Sequence, residues 1–147
     1  MTTIVYSHKL RTISYDSRMT AGGDIILDEH DKMIERDGKK YFIAGNNADI
    51  DIFLNEVGNN NQASEGLDIC ALMVEGESVS LVAISSNGRY KINKLSFNEG
   101  VGSGCYWALA ALDFGKDTKE AVKYAAKKDS RTGGAINTYY LDEKSPN

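Results

Sequence analysis

The chain begins Met1-Thr2-Thr3-Ile4-Val5-Tyr6, and chemistry is first legible at its second residue. Once Met1 is removed, Thr2 carries a hydroxyl and a free α-amine together. The oxygen can attack an amide carbonyl, and the amine, with an unperturbed pKa of about 8, can take the proton that oxygen sheds. Thr is small enough to be compatible with removal of the initiator, so no propeptide has to be cut away. A second stretch, DSRMTAGG over residues 16–23, joins a carboxylate, a guanidinium and a backbone loosened by two glycines, with Lys32 sixteen residues beyond Asp16. Taken singly these residues have plainer readings. Asp16 with Arg18 reads as an ion pair at a turn, Gly22-Gly23 as a bend, and Lys32 as a solvated strand end.

Other catalytic patterns fit less well. Residues 100–105, GVGSGC, lack the last glycine of a dinucleotide-binding GxGxxG and follow no βαβ pattern. Ser103 is flanked two residues away by Val101 and Cys105, so it is not the nucleophile of a G-x-S-x-G elbow. His8 and His30 have no metal-ligand spacing, and no Ser-His-Asp arrangement stands out. Neither a metal nor a cofactor is expected.

The elements that must position these residues are mostly hairpins. Residues 2–7 and 10–15 are rich in Thr, Ile, Val and Tyr and read as two short strands with His8-Lys9 at the turn. Lys32–Arg36 and Lys40–Ala44 are joined by Asp37-Gly38, and Ser78–Ser85 and Arg89–Lys94 by Asn87-Gly88. Both dipeptides supply the positive φ values of tight hairpin turns. The run Cys105–Phe114 is apolar almost all round, which predicts a helix packed between layers; Asp117 followed by Glu120 starts a second helix over Thr118–Lys128. Between residues 48 and 75, ADIDIFLNEV fits a short helix, GNNNQASEG a polar loop, and Leu67–Val74 either strand or helix, since a short apolar run has no decisive period. Antiparallel hairpins interrupted by helices predict stacked sheets covered by helices rather than an alternating parallel fold.

Composition sets the outer bounds. A chain of 147 residues is expected to form a single domain over 1–147, burying roughly two thirds of its extended surface. Its 17 basic and 21 acidic residues give a formal charge of −4 and are interspersed, which argues against nucleic acid as a partner. Cys70 and Cys105 stand in apolar runs without a CxxC pairing and read as buried reduced thiols of a cytoplasmic protein. No signal peptide or membrane-length apolar run is present, and the sole proline, Pro146, lies in a short tail.

Taken together and in order, Thr2, the Asp16 segment, Lys32, IAGNNAD at 43–49, GVGSGCYWALAAL at 100–112 and DSRTGGAINTYYL at 129–141 resemble the β-subunits of the proteasome and the HslV peptidase, which are N-terminal nucleophile hydrolases. The resemblance spans nearly the whole chain. It implies an α+β fold, the four-layer αββα sandwich, and a threonine-type peptidase acting on peptides or unfolded protein. By the same resemblance Thr2 attacks, Lys32 is a cation beside it that lowers the amine pKa, and Asp16 keeps Lys32 charged and oriented. Ser103, Asp129 and Thr132, the last replacing a more usual serine, would fix the amine and a water. The Gly45 N–H would receive the oxyanion, its missing Cβ letting substrate approach. An extended substrate would add a strand against Thr20 and residues 45–47, over a mixed pocket walled by Met19, His30, Ile43 and Asn47.

The resemblance also implies a homo-oligomer, with a ring as one form. The interval after IAGNNAD holds only about thirty residues where the family places two long helices, so the central helices are expected to be shortened. That argues against an ATP-driven unfoldase partner, whose usual docking turn lies between those helices, and bears less on ring assembly. Two alternatives remain on these residues: a catalytically silent assembly or binding module, which retention of Met1 would produce, and an amidohydrolase acting on a small amide.

Overall fold

The computed structural model describes residues 2–59 and 62–141. Met1, whose removal the Thr2 chemistry requires, lies outside the described residues, as do Asn60 and Asn61 of the polar loop and the tail with Pro146. Strands β1 (Ile4–Ser7) and β2 (Thr12–Tyr15) form the expected N-terminal hairpin, registered from Ile4 opposite Tyr15 to Ser7 opposite Thr12. Two short strands follow, β3 (Met19–Ala21) and β4 (Asp24–Leu27). Gly22 and Gly23 join them at φ +58° and +88°, both positive as a two-residue hairpin turn demands. The glycine pair therefore turns a hairpin instead of merely loosening the backbone.

The other two hairpins form where expected, β5 (Met33–Arg36) with β6 (Lys39–Gly45) through a two-residue Asp37-Gly38 turn with both φ positive, and β8 (Ser78–Ile84) with β9 (Tyr90–Lys94) through the longer loop 85–89, in which Gly88 but not Asn87 takes a positive φ. Between them the undecided run is a strand, β7 (Ile69–Glu75). Its residues are buried on both faces, which is why no polar alternation betrayed it. Strands β5 to β9 make a five-stranded antiparallel sheet in sequence order. Two strands without sequence forecast, β10 (Glu99–Val101) and β11 (Asn137–Tyr140), flank the N-terminal hairpin to give a second sheet ordered β10-β1-β2-β11.

Strand alternation sorts the apolar residues into three cores. Ile4, Tyr6, Ile13 and Tyr15 meet Phe42, Leu72 and Val79 between the sheets. Phe42 and Leu72 are wholly buried there, contributing roughly 1.5–3 kcal/mol each. On the far side of the five-stranded sheet, Tyr41, Ile43, Ala71 and Met73 pack on Phe53 and Leu54 of helix α1 (Ile50–Glu56). On the far side of the other sheet, Val5 packs on alanines and Val122 of helices α2 (Cys105–Asp113) and α3 (Thr118–Lys128). Helices, sheet, sheet and helix are the four layers expected. In the interval after β6 a 3-10 turn at Asn47–Asp49 and the seven-residue α1 are the helical structure found among the described residues, so the central helices are indeed shortened.

Helix α3 starts as its cap predicts, the Asp117 carboxylate accepting the Glu120 N–H at 2.8 Å. Helix α2 departs from expectation. It lies on one sheet rather than between layers, with Ala108 and Ala111 inward and Tyr106 82% exposed. Small residues permit close approach to the sheet and α3, and the aromatic bulk is turned outward. No described helix is long and apolar enough to cross a membrane.

Candidate active site

Thr2 precedes β1, Asp16 follows β2 and Lys32 precedes β5, so the ends of three strands deliver the three side chains. Continuing the β1–β2 register by one residue brings Asp16 opposite Thr3, and the Asp16 N–H donates to the Thr3 carbonyl at 3.2 Å. The Lys32 ammonium donates to Asp16 Oδ1 at 2.7 Å and to Thr2 Oγ1, whose hydroxyl donates in turn to Asp16 Oδ1. All three residues are buried. The Lys32 carbonyl accepts the Ile43 N–H at 3.1 Å, which ties the lysine to β6. Burial pushes the Lys32 pKa below the ordinary lysine value, and the Asp16 charge and hydrogen bond oppose that shift.

The Asp16 carboxylate is also held by backbone. Oδ1 accepts the Thr3 N–H at 3.1 Å, and Oδ2 accepts the N–H of Gly133 at 2.9 Å and of Arg18 at 3.3 Å. The reading of Asp16 and Arg18 as an ion pair is corrected here: the Arg18 guanidinium grips Asp28, with Nε 2.8 Å from Oδ1, and reaches the Ser130 carbonyl at 3.0 Å.

Ser103, Asp129 and Thr132 also converge. Asp129 Oδ2 accepts the Ser103 hydroxyl at 2.5 Å and the Thr132 hydroxyl at 2.7 Å. Burial would raise the Asp129 pKa, but the bonds from Ser103 and Thr132 outweigh it and hold the carboxyl below its usual range. The group is joined to the N-terminal strand through Thr3, whose hydroxyl lies 2.7 Å from that of Thr132. Thr2 meets the same region through its carbonyl, which accepts the Gly104 N–H at 3.3 Å. Thr3 was missed by sequence reasoning; the signal available was a second polar residue placed one strand position behind Thr2.

Thr2 and Lys32 line a cleft of about 800 Å³, together with Met19, Thr20, His30, Ile43, Gly45 and Asn47. Every residue expected on the substrate side therefore borders one concavity. Asp68 and Arg131 line it as well and were not anticipated, because each comes from a loop that only the tertiary fold brings round. Glycine at position 45 has a structural reason beside the expected room for substrate. Its φ is +132°, and a Cβ there would stand 2.1 Å from the Asp68 carbonyl oxygen. The close neighbours are the backbone of Asp68 and of Ile69 at the start of strand β7. Gly45→Ala is expected to lower stability by about 2–4 kcal/mol through φ strain and overlap, read as the shift in urea midpoint.

No protein-family model matches this sequence, and no curated protein matches it. Solved structures do. A Thiobacillus denitrificans protein, BPH in complex with epoxomicin, superposes with a TM-score of 0.71 at 16% identity, covering 95% of this chain and 99% of that one. HslV from Trypanosoma brucei superposes with a TM-score of 0.70 at 18% identity, covering 93% and 97%. The fold of this chain is that of the HslV and proteasome type peptidases, nearly end to end.

Proposed function

We propose that the protein is a threonine-type peptidase that hydrolyses peptide bonds with Thr2 as nucleophile after Met1 is removed. The observation that carries the reading is the buried contact of the Thr2 hydroxyl with the Lys32 ammonium and the Asp16 carboxylate at the wall of the cleft. A hydroxyl accepting a hydrogen bond from a fixed cation is easier to deprotonate, since the nascent alkoxide meets positive charge in a partly dry site. The α-amine of Thr2 takes the proton and later returns it to the leaving amine. Asp16 holds Lys32 in place. Ser103, Asp129 and Thr132 brace the N-terminal strand through Thr3, and the Gly45 N–H faces the developing oxyanion. An extended peptide lies along Thr20 and residues 45–47, with Met19, His30, Ile43 and Asn47 around the side chain beside the scissile bond. No cofactor is needed for any of these steps.

That the BPH structure of the same fold holds epoxomicin, an epoxyketone, supports the reading. The chain is further proposed to assemble with copies of itself and to work in the cytoplasm, where the free thiols of Cys70 and Cys105 persist; burial pushes Cys70 up to about 11 and makes it a poor nucleophile. Mass spectrometry after incubation with a peptide epoxyketone tests the function directly. The expected product begins at Thr2 and carries one adduct on that residue. An intact Met1 with no adduct would sink the proposal and leave a noncatalytic assembly module.

A further inference from the structure

The cleft's charges do not balance. Arg18, Lys32 and Arg131 line it against a single carboxylate, Asp68. Two of the cations are committed elsewhere, Lys32 to Asp16 at 2.7 Å and Arg18 to Asp28 at 2.8 Å. Arg131 has no carboxylate partner among the described residues, and it is exposed to the cleft solvent. Its backbone is nonetheless fixed. The Arg131 N–H donates to Asp129 Oδ1 at 3.2 Å, the Thr132 N–H to the Asp129 carbonyl at 3.0 Å, and the Ser130 carbonyl accepts from Arg18. Arg131 thus combines a free planar donor fork with a pinned loop, one residue from Thr132.

We propose that Arg131 is a specificity-determining residue, which pairs with a carboxylate side chain of the peptide and directs the enzyme to acidic substrates. The inference rests on the peptidase reading and adds the substrate class. A guanidinium matches a carboxylate with two parallel hydrogen bonds, which a neutral amide reproduces only in part. The long-range field cannot supply the preference, because the chain's formal charge of −4 repels acidic peptides at a distance. The selection has to be local. Asp68 sets the opposite bias on its own part of the wall, so the position of the acid within the peptide matters.

The test uses Thr2→Ala protein, which holds peptide without turning it over, and fluorescence anisotropy of labelled octapeptides in which one Asp is moved position by position, with Asn and Lys counterparts. At its best position Asp is expected to bind about tenfold more tightly than Asn. Adding Arg131→Ala should bring the two within about twofold, and Arg131→Glu should favour Lys. Equal affinity for Asp and Asn at every position, no measurable binding of the Asp peptides, or a preference untouched by either Arg131 change would overturn the proposal. Cleavage by Thr2-containing protein is scored separately: an Arg131-dependent preference without cleavage removes the peptidase reading and retains the assignment of Arg131 as the carboxylate-pairing residue.

Discussion

Thr2→Ala is expected to lower kcat/KM on a fluorogenic peptide by about a thousandfold or more, because it deletes the atom proposed to attack. The structure predicts that folding survives. The Lys32–Asp16 pair at 2.7 Å needs nothing from Thr2, and three backbone N–H groups still serve the Asp16 carboxylate. What is lost from stability is one satisfied buried hydroxyl, about 1 kcal/mol. Thr2→Ser restores an oxygen at the same place and should recover part of the rate, since only a methyl group is missing. Turnover in the alanine variant equal to that of the parent would mean that the activity resides elsewhere.

Lys32→Met should damage both activity and stability. Removing one partner of a buried pair typically costs about 3–5 kcal/mol, and the three N–H donors on Asp16 bring the expectation to the low end, about 3 kcal/mol. The variant also loses the cation beside the Thr2 oxygen, so the rate should fall by about a hundredfold beyond any unfolding. Methionine fills the volume of the aliphatic stem, which isolates the charge from the packing. A further signature lies in pH. Because the folded Lys32 pKa is depressed below 10.5, the unfolded chain binds the extra proton between the two values, so the Lys32 contribution to stability rises with pH across that alkaline window, against the falling contributions of Cys70, Cys105, Tyr15, Tyr41 and Tyr90, whose pKa values burial raises. The methionine variant lacks this slope. Urea midpoints of both proteins through the window, with rates on the same samples, check the two claims together.

Sequence carried this chain far where local chemistry dictates structure. Asp37-Gly38 and Asn87-Gly88 announced their hairpins, and Asp117 with Glu120 announced α3, because a turn or cap is decided by a few adjacent residues. Strand β7 was not legible, since burial on both faces erases alternation. Nor was the β3–β4 hairpin, whose Gly22-Gly23 turn joins strands of only three and four residues. At the site, Thr2, Asp16 and Lys32 were named on ordered resemblance, and the fold brings them together. Thr3, Asp28 and Arg131 were out of reach because the Thr3 hydroxyl's partner lies 129 residues away, Asp28 meets Arg18 only through the unforeseen β3–β4 hairpin, and the Arg131 guanidinium has no carboxylate partner among the described residues. The glycine at 45 has a second reason that a linear reading gave no hint of, the crowding by the backbone of Asp68 and Ile69.

The outward turn of α2 has an optical consequence. Trp107 is the only tryptophan in the chain, it is 45% exposed, and its indole stands edge-on to Tyr124 beneath the Lys128 ammonium at 5.7 Å. Its emission therefore reports the outer helical layer, and no residue of α2 or α3 lines the cleft. A blue shift with rising protein concentration would register contact on that layer, and a peptide entering the cleft would leave the spectrum unmoved.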